Sequence, residues 1–136
     1  MKRLVVLDSE AVYTLMTPAH PKHRKVVAHL GVVAQRKRKA QEIEVVVPTS
    51  VRVEACWDRR ESGAAFINRM RIADAPLISA AADHAAAIRA SLDVSVADAH
   101  IGATIRHADG AVTVITSDPN DIEVAASPSR PTIISI

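Results

Sequence analysis

Short apolar runs alternate along this chain with longer stretches in which apolar residues recur every three or four positions. The short runs are rich in Val and Ile, which is typical of strands that are covered on both faces of a parallel sheet. Five strands are predicted: Leu4–Leu7, Glu42–Val47, Ala75–Ser79, Ala111–Ile115 and Thr132–Ile136.

The segments between these runs have the spacing of amphipathic helices. Ala97, Ile101, Ile105 and Ala108, for example, would share one face of a helix. Other helices are predicted over residues 9–16, around 26–34, and over 51–60, 64–71 and 80–91, with a last one starting at Asp118-Pro119. Strands that alternate with helices predict a single domain, residues 1–136, built as a three-layer α/β/α sandwich with a mostly parallel sheet of about five strands.

The composition fits such a domain and narrows its class. The chain has 136 residues, 49% of them apolar, which is enough for one hydrophobic core. Aromatic residues make up only 2%, which argues against the multi-base stacking surfaces of RNA-recognition sheets. Cys56 is the single cysteine, and the apolar run Leu4–Leu7 is too short for a signal peptide or a membrane span, so we expect a cytoplasmic protein.

Acidic residues fall at equivalent places in the predicted sheet. Asp8 directly follows the first strand, and Glu54 lies in the helix after the second. Asp98 opens the helix before the fourth strand, and Asp118 and Asp121 follow that strand. Because ligands bind outside the carboxyl ends of parallel strands, these acids are expected to share one pocket. Clustered carboxylates repel one another unless a cation is present, and oxygen ligands favour Mg²⁺ or Mn²⁺, whose bound water can attack a phosphodiester.

Each acid also has a purely structural interpretation. Ser95 to Asp98 has the pattern of a capping box, and Asp118 followed by proline is a good start for a helix. Asp8 could simply cap the first helix, and Glu54 could be a surface residue. The site hypothesis rests on all of these acids falling on one rim.

Four segments together resemble the PIN domain, and specifically the VapC-type ribonuclease toxins of bacterial toxin–antitoxin pairs. These segments are Val5–Asp8, Val47–Glu54, Ala97–Ala103 and Val114–Asp121, and they span nearly the whole chain. Each is short, so the resemblance depends on their order and spacing. Many relatives have small or hydroxyl residues where this chain has Ser9-Glu10, and Glu10 could add a charge near the metal.

The resemblance implies a Mg²⁺- or Mn²⁺-dependent endoribonuclease. Asp8, Glu54, Asp98 and Asp118 would be the acidic catalytic residues, and the metal ligands would come from Asp8, Asp98, Asp118 and Asp121. Thr116 matches the small hydroxyl residue that accompanies the last acids. The resemblance also implies a homodimer and a cognate antitoxin that holds the enzyme inactive.

Basic residues are candidates for contacts with RNA or with an acidic antitoxin segment. Residues 11–41 contain no acid, although the formal net charge of the whole chain is only +2. Their cations are Lys22, Arg24, Lys25, Arg36, Lys37, Arg38 and Lys39. A solvated helix face is an equally good interpretation of these residues. Arg59 and Arg60 follow Glu54 closely and are predicted to contact the substrate.

Two other functions were weighed against the nuclease. A phosphoacceptor receiver domain would need an aspartate after a central strand and a lysine after a late strand, where this chain has Glu54 and Ser117. A metal-free interaction module with a PIN-like fold would bind a protein or RNA partner through the basic helices. The sequence favours the nuclease over both, because all four core acids are present.

Overall fold

A five-stranded sheet in which every pair of neighbouring strands is parallel forms the centre of the molecule. The computed structural model describes residues 2–39 and 42–136, apart from the side chain of Arg38 in the predicted basic run. The strands, in the spatial order β3-β2-β1-β4-β5, are β1 Arg3–Leu7, β2 Ile43–Pro48, β3 Ala73–Ala75, β4 Val112–Thr116 and β5 Thr132–Ser135. The predicted α/β class with a sheet of about five strands is confirmed.

Helices connect and cover the strands. They are α1 Ser9–Met16, α2 His23–Arg38, α3 Thr49–Glu54, α4 Ala65–Asn68, α5 Ser79–Ser91, α6 Val96–His107 and α7 Pro119–Ala126, with a short 3₁₀-helix at Ser62–Ala64. Helix α1 packs against α2 and α4, and helix α6 packs against α5 and α7. Helix α3 contacts both α1 and α6. Within residues 2–39 and 42–136, no helix is both long and apolar enough to cross a membrane.

Aliphatic side chains fill the space between the sheet and its helices. Val6, Val47 and Val114, from three adjacent strands, are completely buried. From the helices, Leu15 and Ile101 are completely buried in the same core. Burial on both sides explains why the strand sequences are continuous apolar runs rather than alternating ones.

Gly102 permits a close approach between α6 and α7. A Cβ atom at this position would lie 2.6 Å from the backbone oxygen of Ala125. This contact is too short, and only a movement of the backbone would relieve the clash. The two helices carry Asp98 and Asp121 respectively. The glycine therefore helps to bring these two acids close together.

The predicted third strand was placed too far along the chain. The prediction was Ala75–Ser79, whereas β3 covers Ala73–Ala75. Pro76 follows β3 directly, and a proline lacks the N–H group that a ladder requires. Leu77 and Ile78, which suggested a buried strand, are exposed.

The predicted helix over residues 51–60 is shorter than expected and begins earlier. It covers Thr49–Glu54 and ends before Cys56, whose φ of 58° lies in the left-handed region. A left-handed residue cannot continue a right-handed helix. The chain therefore turns away immediately after Glu54, which changes where Arg59 and Arg60 lie.

Candidate metal centre

The carboxyl ends of β1 and β4 are neighbours, and an aspartate follows each of them. Asp8 comes directly after β1, and Asp118 comes two residues after β4. Glu54 is the last residue of α3, and Asp98 lies in the first turn of α6. All four side chains line one cavity of about 430 Å³, which we call the acidic cavity. The structure thus brings together the four acids that the sequence places near strand ends.

Asp8 is buried, and its carboxylate accepts three hydrogen bonds. Oδ1 accepts the backbone N–H of Ala11 at 2.8 Å, which makes Asp8 the N-cap of α1. Oδ2 accepts the hydroxyl of Thr116 at 2.7 Å and the backbone N–H of Ser117 at 3.0 Å. Burial raises the pKa of Asp8, and the charge of Asp118 adds to the rise, although the three hydrogen bonds lower it. Asp8 therefore both caps a helix and belongs to the acidic cavity.

Thr116 connects Asp8 and Asp118 through hydrogen bonds. Its hydroxyl donates to Asp8 and accepts the backbone N–H of Asp118 at 2.9 Å. The side chain is completely buried, at the end of β4. Thr116 thus fixes the loop that carries Asp118, and its predicted contact with substrate stays a prediction.

Asp98 is held at the start of α6 by the predicted helix cap. The hydroxyl oxygen of Ser95 accepts the backbone N–H of Asp98 at 3.0 Å. The side chain of Asp98 is buried, and burial is the main reason why its pKa rises to about 6. The remaining rise comes from the charges of Asp118, Asp8, Glu54 and Asp121, in decreasing order. These four acids are therefore close enough to Asp98 to disfavour its charge.

A partly buried hydrogen bond joins the helices that carry Glu54 and Asp98. The hydroxyl of Ser50 on α3 lies 2.7 Å from Nδ1 of His100 on α6. His100 is buried, and burial lowers the pKa of its imidazole, so the ring is neutral at pH 7. This bond fixes α3 against α6 and so fixes the spacing of the two acids.

Asp98, Asp118 and Asp121 each offer a carboxylate oxygen to a common point. The three oxygens lie within 4.8 Å of one another, and Asp118 and Asp121 are exposed. Two ligands about 2.1 Å from one Mg²⁺ are at most about 4.2 Å apart, so small side-chain rotations would let this group hold an ion. The donors are all carboxylates, the ligands that Mg²⁺ and Mn²⁺ prefer. A divalent cation would also relieve the repulsion that raises the pKa of Asp98.

Glu54 and Asp8 line the acidic cavity but lie outside this group of three. The side chain of Glu54 is exposed, and its charge contributes to the raised pKa of Asp98. The carboxylate of Asp8 is already oriented by its hydrogen bonds to the protein. The catalytic role of both acids, and the predicted role of Asp8 as a metal ligand, stay predictions.

Arg59 and Arg60 do not line the acidic cavity. Nη2 of Arg59 donates to Asp74 at 2.8 Å, and its guanidinium lies 4.3 Å from the centre of the Trp57 ring. Arg60 pairs with Asp58 at 2.9 Å. The helix that was expected to carry both arginines past Glu54 ends there, so their predicted contact with substrate has no support from their position.

The place of Tyr13 in the site was not predicted from the sequence. Tyr13 lines the acidic cavity beside Glu10, which the sequence had marked only as an unusual charge. The two residues are three positions apart on α1, just after Asp8, so they share one helix face. That spacing was the available signal.

Comparison with known proteins supports the fold. No protein-family model matches the chain, and no curated protein sequence matches it. Three solved structures share its fold over nearly the full length of both chains, and the first is VapBC2 from Rickettsia felis, bound to a DNA fragment from its promoter. That chain is 10% identical, with a TM-score of 0.62 and 98% of both chains covered.

Two further solved structures have the same fold. FitAcB from Neisseria gonorrhoeae is 19% identical, with a TM-score of 0.59 and 96% of both chains covered. VapC20 from Mycobacterium tuberculosis, a toxin that cleaves the sarcin–ricin loop, is 12% identical, with a TM-score of 0.57 and coverage of 93% of this chain and 96% of that one. The chain has the fold of VapC-type toxins, as its resemblance to PIN domains predicted.

Proposed function

We propose that this protein is a metal-dependent endoribonuclease that cleaves RNA phosphodiesters as the toxin of a toxin–antitoxin pair. The observation that carries the proposal is the convergence of carboxylate oxygens of Asp98, Asp118 and Asp121 within 4.8 Å of one another. Asp98 and Asp118 line the acidic cavity together with Asp8 and Glu54. The likeness in fold to VapC20, a toxin that cleaves the sarcin–ricin loop, supports RNA as the substrate.

Each acid has a distinct part in this proposal. Asp98, Asp118 and Asp121 would hold Mg²⁺ or Mn²⁺, and such an ion would supply an activated water and stabilise developing charge on the phosphate. Asp8 orients the loop after β4 through Thr116 and Ser117 and adds negative charge beside the ion. Glu54 is exposed at the rim of the cavity, where its carboxylate can accept a proton from water.

The proposed partner is an antitoxin encoded beside this protein. The likeness in fold to VapBC2 and FitAcB supports this partner. The basic residues of α2 and of the turn before it, among them the exposed Arg24 and Lys25, are suited to an acidic segment of such a partner. A homodimer and a cytoplasmic location belong to the same proposal.

The test is RNA cleavage by the purified protein in Mg²⁺, Mn²⁺ or EDTA, beside the variant Asp98→Asn. Asparagine has nearly the same shape but no charge, so we expect folded protein whose activity falls at least about a hundredfold. The matched control is Asp83→Asn, which removes an exposed aspartate of α5 outside the cavity and should leave cleavage unchanged. Equal activity of Asp98→Asn and the wild type, or equal activity in EDTA, would contradict the proposal.

A metal-free interaction module is the alternative, and calorimetry with Mn²⁺ separates the two functions. The nuclease should bind Mn²⁺ with measurable heat, and Asp98→Asn should weaken that binding. Tight binding of a partner together with no heat from Mn²⁺ would favour the module.

A further inference from the structure

Tyr13 is the aromatic side chain in the wall of the acidic cavity. It lies on α1 one turn beyond the cap at Asp8, and 48% of the residue surface is exposed. Tyr13 is also the only tyrosine of the chain. A large ring left half-exposed beside a cluster of acids has no role in the core, so its place in the cavity needs another explanation.

The ring of Tyr13 lies against an imidazole that is itself held in place. The ring centres of Tyr13 and His20 are 5.9 Å apart, with an edge-to-face angle of 85°. Nδ1 of His20 accepts the backbone N–H of Lys22 at 3.0 Å, so in the neutral ring the hydrogen is on Nε2. Nε2 donates to Glu10 at 3.1 Å. These contacts restrain Tyr13 while leaving much of its surface open to the cavity.

The charge of the cavity makes such a ring useful to a nuclease. Among the described residues that line the cavity there are five carboxylates, including Glu10, and neither lysine nor arginine. These carboxylates repel the phosphates of RNA, so the cavity attracts RNA only through a bound cation and through uncharged contacts. Stacking of a base on an aromatic ring is such a contact, and it contributes about 1–3 kcal/mol per base.

We propose that Tyr13 binds the substrate by stacking on one unpaired base of a single-stranded RNA, next to the phosphate that is cleaved. The inference rests on the proposed nuclease function and adds a residue that binds the substrate. A base inside a duplex is already stacked on both faces, so only a single-stranded or splayed nucleotide reaches the ring. One ring accommodates one base, which agrees with the low aromatic content of the chain.

The experiment measures RNA binding in the Glu54→Gln background with Mg²⁺ present, so that cleavage does not interfere while Asp98, Asp118 and Asp121 can still hold the ion. The probes are a labelled short oligoadenylate and an equally long strand of abasic ribose phosphates, which has the same charge but no bases. We expect Tyr13→Ala to weaken binding of the oligoadenylate about 5- to 100-fold in fluorescence anisotropy. Binding of the abasic strand should not change, and Tyr13→Phe should bind both probes as the background does.

One further variant and two further measurements keep the result interpretable. Tyr13→Leu keeps apolar bulk without an aromatic face, so it should lose nearly as much binding of oligoadenylate as Tyr13→Ala. Thermal melting confirms that each variant is folded, and sedimentation reports its oligomeric state. Equal loss on both probes, no loss on either, or a change of oligomeric state in Tyr13→Ala would overturn the proposal. Because binding is measured without cleavage, failure here is distinct from failure of the nuclease assay.

Discussion

The acidic cavity differs in the pairing of its charges from a second region, the arginine cluster. The arginine cluster consists of Arg52, Arg59, Asp74 and Trp57. Asp74 accepts from Arg52 at 2.9 Å and from Arg59 at 2.8 Å, and both guanidiniums lie over the Trp57 ring. In the acidic cavity, by contrast, the described lining residues bring several carboxylates together without a lysine or arginine.

The difference shows which of the two regions needs a ligand. In the arginine cluster each guanidinium has the carboxylate of Asp74 and the face of Trp57 beside it, so neither cation needs a ligand. In the acidic cavity the pKa of Asp98 rises to about 6 because burial and neighbouring acids disfavour its charge. A region of unbalanced charge is a better candidate for function than a region that merely contains many charges.

The largest expected effect is a loss of stability when Asp8 is replaced by alanine. Asp8→Ala would leave the backbone N–H groups of Ala11 and Ser117 and the hydroxyl of Thr116 without their acceptor. We expect the free energy of unfolding to fall by about 2–4 kcal/mol, measured by urea denaturation. Asp8→Asn keeps a side-chain oxygen for the cap and should cost less. A loss below about 1 kcal/mol in Asp8→Ala would show that these hydrogen bonds do not stabilise the fold.

The second prediction concerns Mn²⁺ binding and pH. A proton on Asp98 competes with the ion, because a ligand carboxylate must be ionised. With a pKa of about 6, the ionised fraction falls steeply below that pH, so affinity should drop about tenfold between pH 7 and pH 5. Calorimetry at both pH values measures this. The residual affinity of Asp98→Asn should vary less with pH, and an equal drop in that variant would place the titrating group elsewhere.

The third prediction is a gain in stability when a cavity charge is removed. In EDTA, folded Asp98 has a pKa of about 6 against an ordinary value of 3.8, so the folded state binds more protons between these values. The wild type therefore loses stability as pH rises from about 4 to above 6. Asp98→Asn lacks this loss and should be more stable at pH 7, by on the order of 1 kcal/mol after allowance for solvent screening.

Urea denaturation at pH 7 and at pH 3.5 checks the sign of that effect. The advantage of Asp98→Asn should largely disappear at the lower pH, where the wild-type side chain is mostly protonated in both states. Asp83→Asn, which is exposed on α5, should show no such advantage at either pH. A variant that is less stable than the wild type at pH 7 in EDTA would mean that burial and the neighbouring acids do not disfavour the charge of Asp98.

The sequence could predict which acids lie near the ends of the strands. The helix over residues 9–16 was placed correctly, because Asp8 caps it and the Thr17-Pro18 pair ends it. Since parallel strands end at one edge of the sheet, the acids near strand ends had to converge, whatever the details of packing. Local patterns of this kind depend on the backbone alone.

The surroundings of Arg59 and Arg60 could not be predicted in the same way. Both were assigned to the cavity because a helix was expected to continue past Glu54. The chain instead takes a left-handed conformation at Cys56. A cysteine in a sequence does not indicate such a turn. Asp74, the partner of Arg59, lies far along the sequence on β3, and nothing in the local pattern pairs them.

The smallest effect is expected in the arginine cluster, from Asp74→Asn. Asparagine removes the charge that Arg52 and Arg59 share but keeps one acceptor oxygen, and all three side chains are partly exposed. Urea denaturation should show a loss of about 0.5–1 kcal/mol. Mn²⁺ binding and RNA cleavage should not change, because the cluster is complete without a ligand and lies outside the acidic cavity. A fall in Mn²⁺ affinity in this variant would show that the two regions are coupled, and the contrast between them would then fail.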